Sequence, residues 1–548
     1  MYGVLLNPMA FLSLLFVRIL ASSYGHLSAR GHHPLTLRAA AARASAHSTS
    51  ALPSYTIHNF TQQLDHFNFE TFGTRTSTST FTQRYLRAAD GATTAPTTTT
   101  TAQLAPAPIF LFTGAEGGNV ENVYQAYGSV ILGARALNPR AELIFVEGRF
   151  WGDSRPFAAK NDTPGWLPTN SASWVRTGDR VGLLAIEQML ADYAAIISHL
   201  RKSIPSCAST CKVVTFGGSL AGSLAAWMRM RYPALVDAAI ASSACLHGFA
   251  EAINPPVDAN AWRARVTTNW KSVGVAVGVP KCPSLIRRGF AALPALTPAE
   301  VATIFSTCEE VGNPLLSYST VQDIVWQRLE GFGEFIYPAS RSAKETIGPA
   351  CQRMKAGTSM RGEGDAAIFA ALLADKTAGG ACLNLTLHVE QTQAPDVISW
   401  LYLACTEVVH PIGANNITDF FPPTPWSMEG LIEECNRDES WNVIPNPTKV
   451  VASYGLFPDS KRFVALPGGA SRIVFTWGSA DPWATMALPS VPINDTGGLT
   501  WLNKEAIALV IPGGSHCADV GTPAADDTPA MESARKTTMA QIGKWITL

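Results

Sequence analysis

The stretch Lys212–Pro233, KVVTFGGSLAGSLAAWMRMRYP, reads as a buried strand, a serine among small residues, and then a helix. A serine hydroxyl is a poor nucleophile until the backbone aims it and a base takes its proton, and a sharp strand-to-helix turn does the aiming. Gly217 and Gly218 permit such a turn at Ser219. A helix beginning near Leu220 would point its first N–H groups and its positive dipole end at charge developing beside the hydroxyl. Ala221 stands where a second glycine is usual, and Gly222 follows it, so close helix–strand packing stays available.

Two later segments complete the pattern. Ser471–Trp483, SRIVFTWGSADPW, is a strand ending in a polar loop that carries Asp481; Glu505–Asp519, EAIALVIPGGSHCAD, is a strand ending in a glycine loop that carries His516. Serine, aspartate and histidine in that chain order are the order of the α/β-hydrolase fold. Taken singly, Asp481 would be a solvated loop aspartate and His516 a surface histidine; the strands before them and the shared order favour a catalytic set.

At these residues the chain resembles the family of lysosomal prolyl carboxypeptidase and dipeptidyl peptidase II, serine exopeptidases that act next to proline. The resemblance extends through QQLDHFN (Gln62–Asn68), FTQRYL (Phe81–Leu86), PIFLFTGAEG (Pro108–Gly117), FVEGRFWGDSRPF (Phe145–Phe157), IEQMLADY (Ile186–Tyr193) and WLYLACTEVVHP (Trp400–Pro411). These blocks run in the family's order from about residue 55 to the C-terminus. The resemblance implies disulfides joining Cys282 with Cys351, Cys308 with Cys382, and Cys405 with Cys435. It also implies peptide substrates and no cofactor, in relatives that are often homodimers.

Composition narrows the class. The 41 basic residues balance 42 acidic ones, which argues against nucleic acid or an anionic membrane surface as the main partner. Hydrophobic content of 47% against 15% charge suits a packed enzyme and excludes a disordered scaffold. Residues 1–24 resemble a secretory signal peptide, and 25–54 a leader, although the acid-poor, Ala-, Arg- and Ser-rich run also resembles an organelle transit peptide. Sequons at Asn59, Asn384, Asn416 and Asn494 and ten cysteines agree with a lumenal, lysosomal, vacuolar or extracellular protein. No cysteine or histidine cluster has metal-site spacing, and no run beyond the leader is long enough to span a bilayer. Cys207 and Cys211 can bridge locally or stay free; Cys245 and Cys517 lie by strand ends as candidate buried thiols.

Short apolar runs at 109–113, 143–147, 213–216, 238–242, 473–477 and 507–511, without alternation, predict a parallel sheet covered on both faces. Leu183, Ile186, Leu190, Tyr193, Ile197 and Leu200 are spaced for a helix on that sheet. The Thr-, Ala- and Pro-rich segment 88–108 reads as a long hairpin loop between two early strands. Far more chain separates Ser219 from Asp481 than one or two strand–helix units need. The expected organisation is therefore an α/β-hydrolase core over 55–247 and 446–548, with a helical cap over 248–445 that would lie above the strand ends and restrict access to chain ends.

In the expected chemistry Ser219 attacks a carbonyl, His516 is base and then acid, and Asp481 orients the imidazole. The backbone N–H groups of Leu220 and Ala115 are the expected oxyanion donors. Glu116 and Glu147 match acidic positions of the family, as substrate contacts or as buried structural carboxylates held by backbone or Arg149. His66 is expected to pack and hydrogen-bond. For the substrate pocket, Trp483 matches an aromatic that packs on proline in relatives. Ser223 and His410 stand where methionines are usual, and Val520 where some relatives carry arginine, so proline preference and acid tuning do not transfer by position. A lipase or carboxylesterase, or an inactive binding protein on the same fold, are the competing readings.

Overall fold

The computed structural model describes residues 52–547 apart from 69–79, 90–105, 117–118, 157–181, 208–209, 250–255, 337–345, 359–363, 393, 437–442 and 455–469. The signal expectation, all but the last three residues of the leader and the centre of the Thr-rich segment lie outside the described residues. The chain divides into two compact units, one built from Pro34–Asp258, Pro395–Pro411 and Val443–Leu548, the other from Ala259–Ala394 and Ile412–Asn442.

The first unit is organised by nine strands: β1 (Thr56–Gln63), β2 (Thr80–Ala88), β3 (Ile109–Phe112), β4 (Glu142–Val146), β5 (Val213–Gly218), β6 (Ala238–Ser242), β7 (Ile473–Gly478), β8 (Gly498–Asn503) and β9 (Ala506–Ile511). They form one sheet in the order β1-β2-β4-β3-β5-β6-β7-β9-β8. Neighbours from β4 through β9 are parallel. Every residue of β3, β4, β5, β6, β7 and β9 is buried, as expected for strands covered on both faces. A mainly parallel sheet with this crossover order and antiparallel strands at its margins is the α/β-hydrolase fold.

Two expectations change. The strands flanking the Thr-rich segment do not form a hairpin: β2 pairs with β1 and β4, and β3 with β4 and β5. The all-apolar β3 takes an interior parallel position between β4 and β5, where both of its faces are covered. The edge strand β8, antiparallel to β9, was not legible because its side chains are half-exposed and Trp501 faces solvent.

Three resemblance blocks meet in one buried network. Helix α1 (Ile186–Ser203) carries Asp192, which is fully buried. Its carboxylate accepts from Arg149 Nε and Nη2, both at 2.7 Å, and lies 2.8 Å from His66 Nε2. Arg149 also donates to the carbonyls of Leu64 and Leu183. The guanidinium therefore ties the segment after β1, the loop after β4 and α1 together, and its bidentate geometry explains why a lysine would not substitute.

The second unit is helical among its described residues, with Ala261–Ala276, Cys282–Ala292, Tyr318–Glu334 and Ile347–Gly357 as its longer helices. Cys282 is bonded to Cys351 and Cys308 to Cys382. Arg263, buried, donates to Glu330 at 2.9 Å and lies over the Trp326 ring. Within the stretch expected to be inserted, Pro395–Pro411 belongs to the sheet unit: Ser399 donates to the Phe150 carbonyl, and Glu407 accepts the Ile186 N–H.

Truncating Asp192 to alanine would leave a buried guanidinium without its carboxylate. We expect a loss of about 3–5 kcal/mol, the usual cost of breaking a buried pair from one side, read as a lower urea midpoint. An unchanged midpoint would show that the network does not hold these segments.

Candidate functional site

The carboxyl ends of β3, β5, β6, β7 and β9 bring the sequence-predicted residues of the sheet unit together. β5 runs directly into helix α2 (Leu220–Arg231), and Ser219 between them has φ 60° and ψ −131°. A non-glycine residue holds that conformation only where the surroundings fix it. Here the Ser219 N–H donates to the Ser242 carbonyl at 2.9 Å, and the Ser219 carbonyl accepts the first helical bond from Ser223. The close approach sits at Gly217 and Gly222: a Cβ on the first would lie 2.4 Å from the Ala221 carbonyl, and one on the second 2.5 Å from the Ser242 carbonyl. Gly222 thus provides the contact that the usual glycine at position 221 would suggest.

Asp481 follows β7 and His516 follows β9, and both are fully enclosed. Asp481 Oδ1 accepts from His516 Nδ1 at 3.0 Å and from the Trp483 N–H at 2.9 Å. With the proton on Nδ1, a neutral His516 presents Nε2 as its acceptor. The two loops are also joined through backbone, Ser479 N–H to Ile511 and Ala480 N–H to Gly514, each at 3.0 Å. Burial opposes charging of His516, but the Cys517 sulfur and the Asp481 carboxylate outweigh it and raise its pKa above the usual imidazole range.

The histidine loop has an anchor that sequence reasoning missed. Asp519, buried, accepts from the Ser242 hydroxyl at 2.5 Å and the Thr476 hydroxyl at 2.7 Å, while Arg535 holds the Asp519 and Ala518 carbonyls. The Cys517 N–H donates to Ser243 Oγ at 2.9 Å. Three residues after His516, Asp519 was visible in the sequence; its hydroxyl partners on β6 and β7 are 277 and 43 positions away and carry no local signal. Tyr127 was missed for the same reason, and its hydroxyl accepts the Gly218 N–H at 3.0 Å just before Ser219.

The loop after β3 places Ala115 and Glu116 in the same interior. The Glu116 carboxylate is surrounded by its own N–H, the Ser219 hydroxyl and the Leu220 N–H, and it feels His516; burial nevertheless dominates and pushes its pKa up to about 7. Glu147 is built differently. Its Oε2 accepts from Ser154 and from the Asp153 N–H, so Arg149 is not its partner.

Trp483 is fully buried, with its ring 6.0 Å from that of His516 and 5.5 Å from that of His410, which stands edge-on to it. His410 Nδ1 is 2.7 Å from the Gly248 carbonyl, and burial lowers its pKa to about 4, so it is a neutral, aromatic wall. Ser223 lies within α2, one turn after Ser219, and its hydroxyl turns back toward the Ser219 carbonyl at 3.5 Å.

Away from these strand ends, Cys207 is bonded to Cys211, and Cys405 and Cys435 are also in disulfides. Cys245 and Cys517 are in no disulfide. Asn59, Asn384, Asn416 and Asn494 are all exposed. No helix of the described residues is long and apolar enough to cross a membrane.

Comparison with known proteins matches residues 62–538 to the model of a family described as serine carboxypeptidase S28. Lysosomal Pro-X carboxypeptidase of Bos taurus is 28% identical over 90% of this chain and 88% of its own, and that of Homo sapiens is 27% identical over the same shares. Thymus-specific serine protease of Mus musculus is 26% identical over 80% of each chain.

The turn geometry carries a stability test. Gly222→Ala should cost about 1–3 kcal/mol, because the added methyl meets backbone rather than a yielding side chain. Chemical denaturation reads this directly; a wild-type midpoint would mean that α2 has room to retreat from β6.

Proposed function

The chain belongs to the serine carboxypeptidase S28 family, is therefore a serine-type, carboxypeptidase-like peptidase, and from that premise we propose that Ser219, His516 and Asp481 are its catalytic triad. The observation that carries the reading is the buried His516–Asp481 bond at 3.0 Å beside a serine held at positive φ. Ser219 Oγ bonds to the scissile carbonyl carbon as its proton moves to His516 Nε2. The resulting imidazolium is stabilised by Asp481, and the proton passes to the leaving amine as the acyl-enzyme forms. Water then repeats the sequence, and Ser219 is regenerated. The Leu220 N–H, at the start of a 12-residue helix, supports a developing oxyanion, with the loop Gly114–Glu116 supplying a second donor, Ala115 being the expected one.

The substrate proposed is a peptide with proline before its C-terminal residue, as the names of the Pro-X carboxypeptidase relatives describe for those proteins. The buried Trp483 face suits a flat pyrrolidine ring, and neutral His410 beside it, its Nδ1 proton given to the Gly248 carbonyl, adds an aromatic wall able to accept one hydrogen bond at Nε2. The same relatives, the sequons and the disulfides support residence in the secretory pathway or lysosome, with Asn59, Asn384, Asn416 and Asn494 as glycosylation sites.

Purified protein incubated with benzyloxycarbonyl-Pro-Phe should release phenylalanine, while a free-N-terminus Ala-Pro chromogenic amide should be cut far more slowly. The reverse preference would make it a dipeptidyl peptidase, and preference for a simple ester over both would favour the esterase reading. Ser219→Ala should lower turnover by about 10⁴-fold or more with folding intact, and His516→Ala by a similar factor, the double variant being scarcely worse because the residues act as a unit. Additive losses, or wild-type turnover in either single variant, would refute the triad.

A further inference from the structure

Among the described residues, every buried carboxylate at this end of the sheet has an evident partner except one. Asp192 is answered by Arg149, Asp519 by two hydroxyls, Asp481 by His516 and the Trp483 N–H, and Glu147 by Ser154 and the Asp153 N–H. Glu116 is 5% exposed, and neither of its oxygens closes a hydrogen bond. Yet the groups facing it are donors: its own N–H, the Leu220 N–H and the Ser219 hydroxyl. Two backbone N–H groups converging beside a nucleophilic serine are what an oxyanion site consists of. An unsatisfied buried acceptor is costly, and one kept at such a place calls for a functional explanation.

On the reading of Ser219 as nucleophile, we propose that the Glu116 carboxyl is part of the anion-binding site. Protonated, it donates a hydrogen bond to the oxygen that becomes negative when Ser219 adds to a carbonyl. Ionised, it occupies that site with its own charge and excludes the substrate oxygen. In the addition step the Ser219 Oγ–carbon bond forms, the carbonyl π pair moves to oxygen, and the Ser219 proton goes to His516. The Glu116 proton is shared with the oxyanion and stays with Glu116 when the C–N bond breaks, the leaving amine taking its proton from His516.

The groups that set this proton's affinity are on the page. His516, on the loop after β9, faces Glu116 and favours its ionised form when charged; Tyr127, at the turn between two helices, and Tyr193, on α1, face it as neutral phenols. Behind His516 stand Asp481 and Cys517. Burial is the largest influence and holds Glu116 near pH 7. A carboxyl raised in this way is neutral below that pH and is lost as a donor as pH rises through it. Reaction at Ser219 then needs His516 deprotonated and Glu116 protonated; because His516 holds its proton more tightly than Glu116 does, this form is the less populated tautomer of the singly protonated pair, and the rate follows a bell whose two limbs belong to the pair.

Labelling of Ser219 by a small alkyl fluorophosphonate tests this without knowledge of the peptide substrate, because the phosphoryl oxygen takes the oxyanion's place as fluoride leaves. Second-order labelling rates between pH 4 and 10 should trace a bell in the wild type, falling about tenfold per unit beyond the upper limb. Glu116→Gln, isosteric and always neutral, should lose the fall and leave a single rise at the pH where His516 gives up its proton. Glu116→Ala should label about 10²-fold more slowly across the range, as for loss of one oxyanion donor. Thermal unfolding of each variant separates these effects from misfolding. A Gln variant with the wild-type upper limb, a wild type with no upper limb, or an Ala variant at wild-type rate would overturn the role of Glu116. Failure of wild-type Ser219 to label at any pH would instead overturn the nucleophile reading and the proposal with it.

Discussion

The backbone at Ser219 is the constraint from which the rest of the site follows. A serine at φ 60° is about 1–3 kcal/mol less comfortable than one in an ordinary region. The offset comes from the register of β5 on β6, which aligns Gly218 with Ser242 and lets the Ser242 carbonyl accept the Ser219 N–H. Because α2 must leave this turn immediately, Gly217 and Gly222 have to let helix and sheet touch. Sheet order, glycine placement and the direction of the hydroxyl are thus one problem with one solution.

Ser242 couples this constraint to the other half of the site. Its carbonyl holds the Ser219 N–H, and its hydroxyl holds Asp519 on the histidine loop. Thr476, on the next strand, binds the other Asp519 oxygen, and the loop that follows β7 presents Asp481 to His516. The serine and the histidine–aspartate pair are therefore referenced to the same two strand ends. Displacement of one strand would move both, which preserves their relation better than independent loops would.

The electrostatic design is a graded one. Asp192 lies against a guanidinium, Asp481 against an imidazole, Asp519 against two hydroxyls, and Glu116 against donors that stop short of it. Burial raises the pKa of the last carboxyl, and it is the one that faces Ser219. The neutral His410 and the buried Trp483 keep the adjoining wall free of charge.

Local pattern alone determined much of this protein. Apolar runs bounded by turn residues located the interior parallel strands, GGS before a helix located the turn, and the order of Ser219, Asp481 and His516 identified the fold, because each of these signals lies within a few adjacent residues. What the tertiary structure decided is which distant groups share a neighbourhood. Whether β2 and β3 pair, that Arg149 serves Asp192 and not Glu147, that Asp519 is held by β6 and β7, and that Pro395–Pro411 goes with the sheet all depend on packing between segments far apart in the chain. The state of Glu116 is the clearest case. In the sequence it is one acidic residue in a glycine loop; its raised pKa and its place beside Ser219 arise from burial and from N–H groups that the fold brings to it.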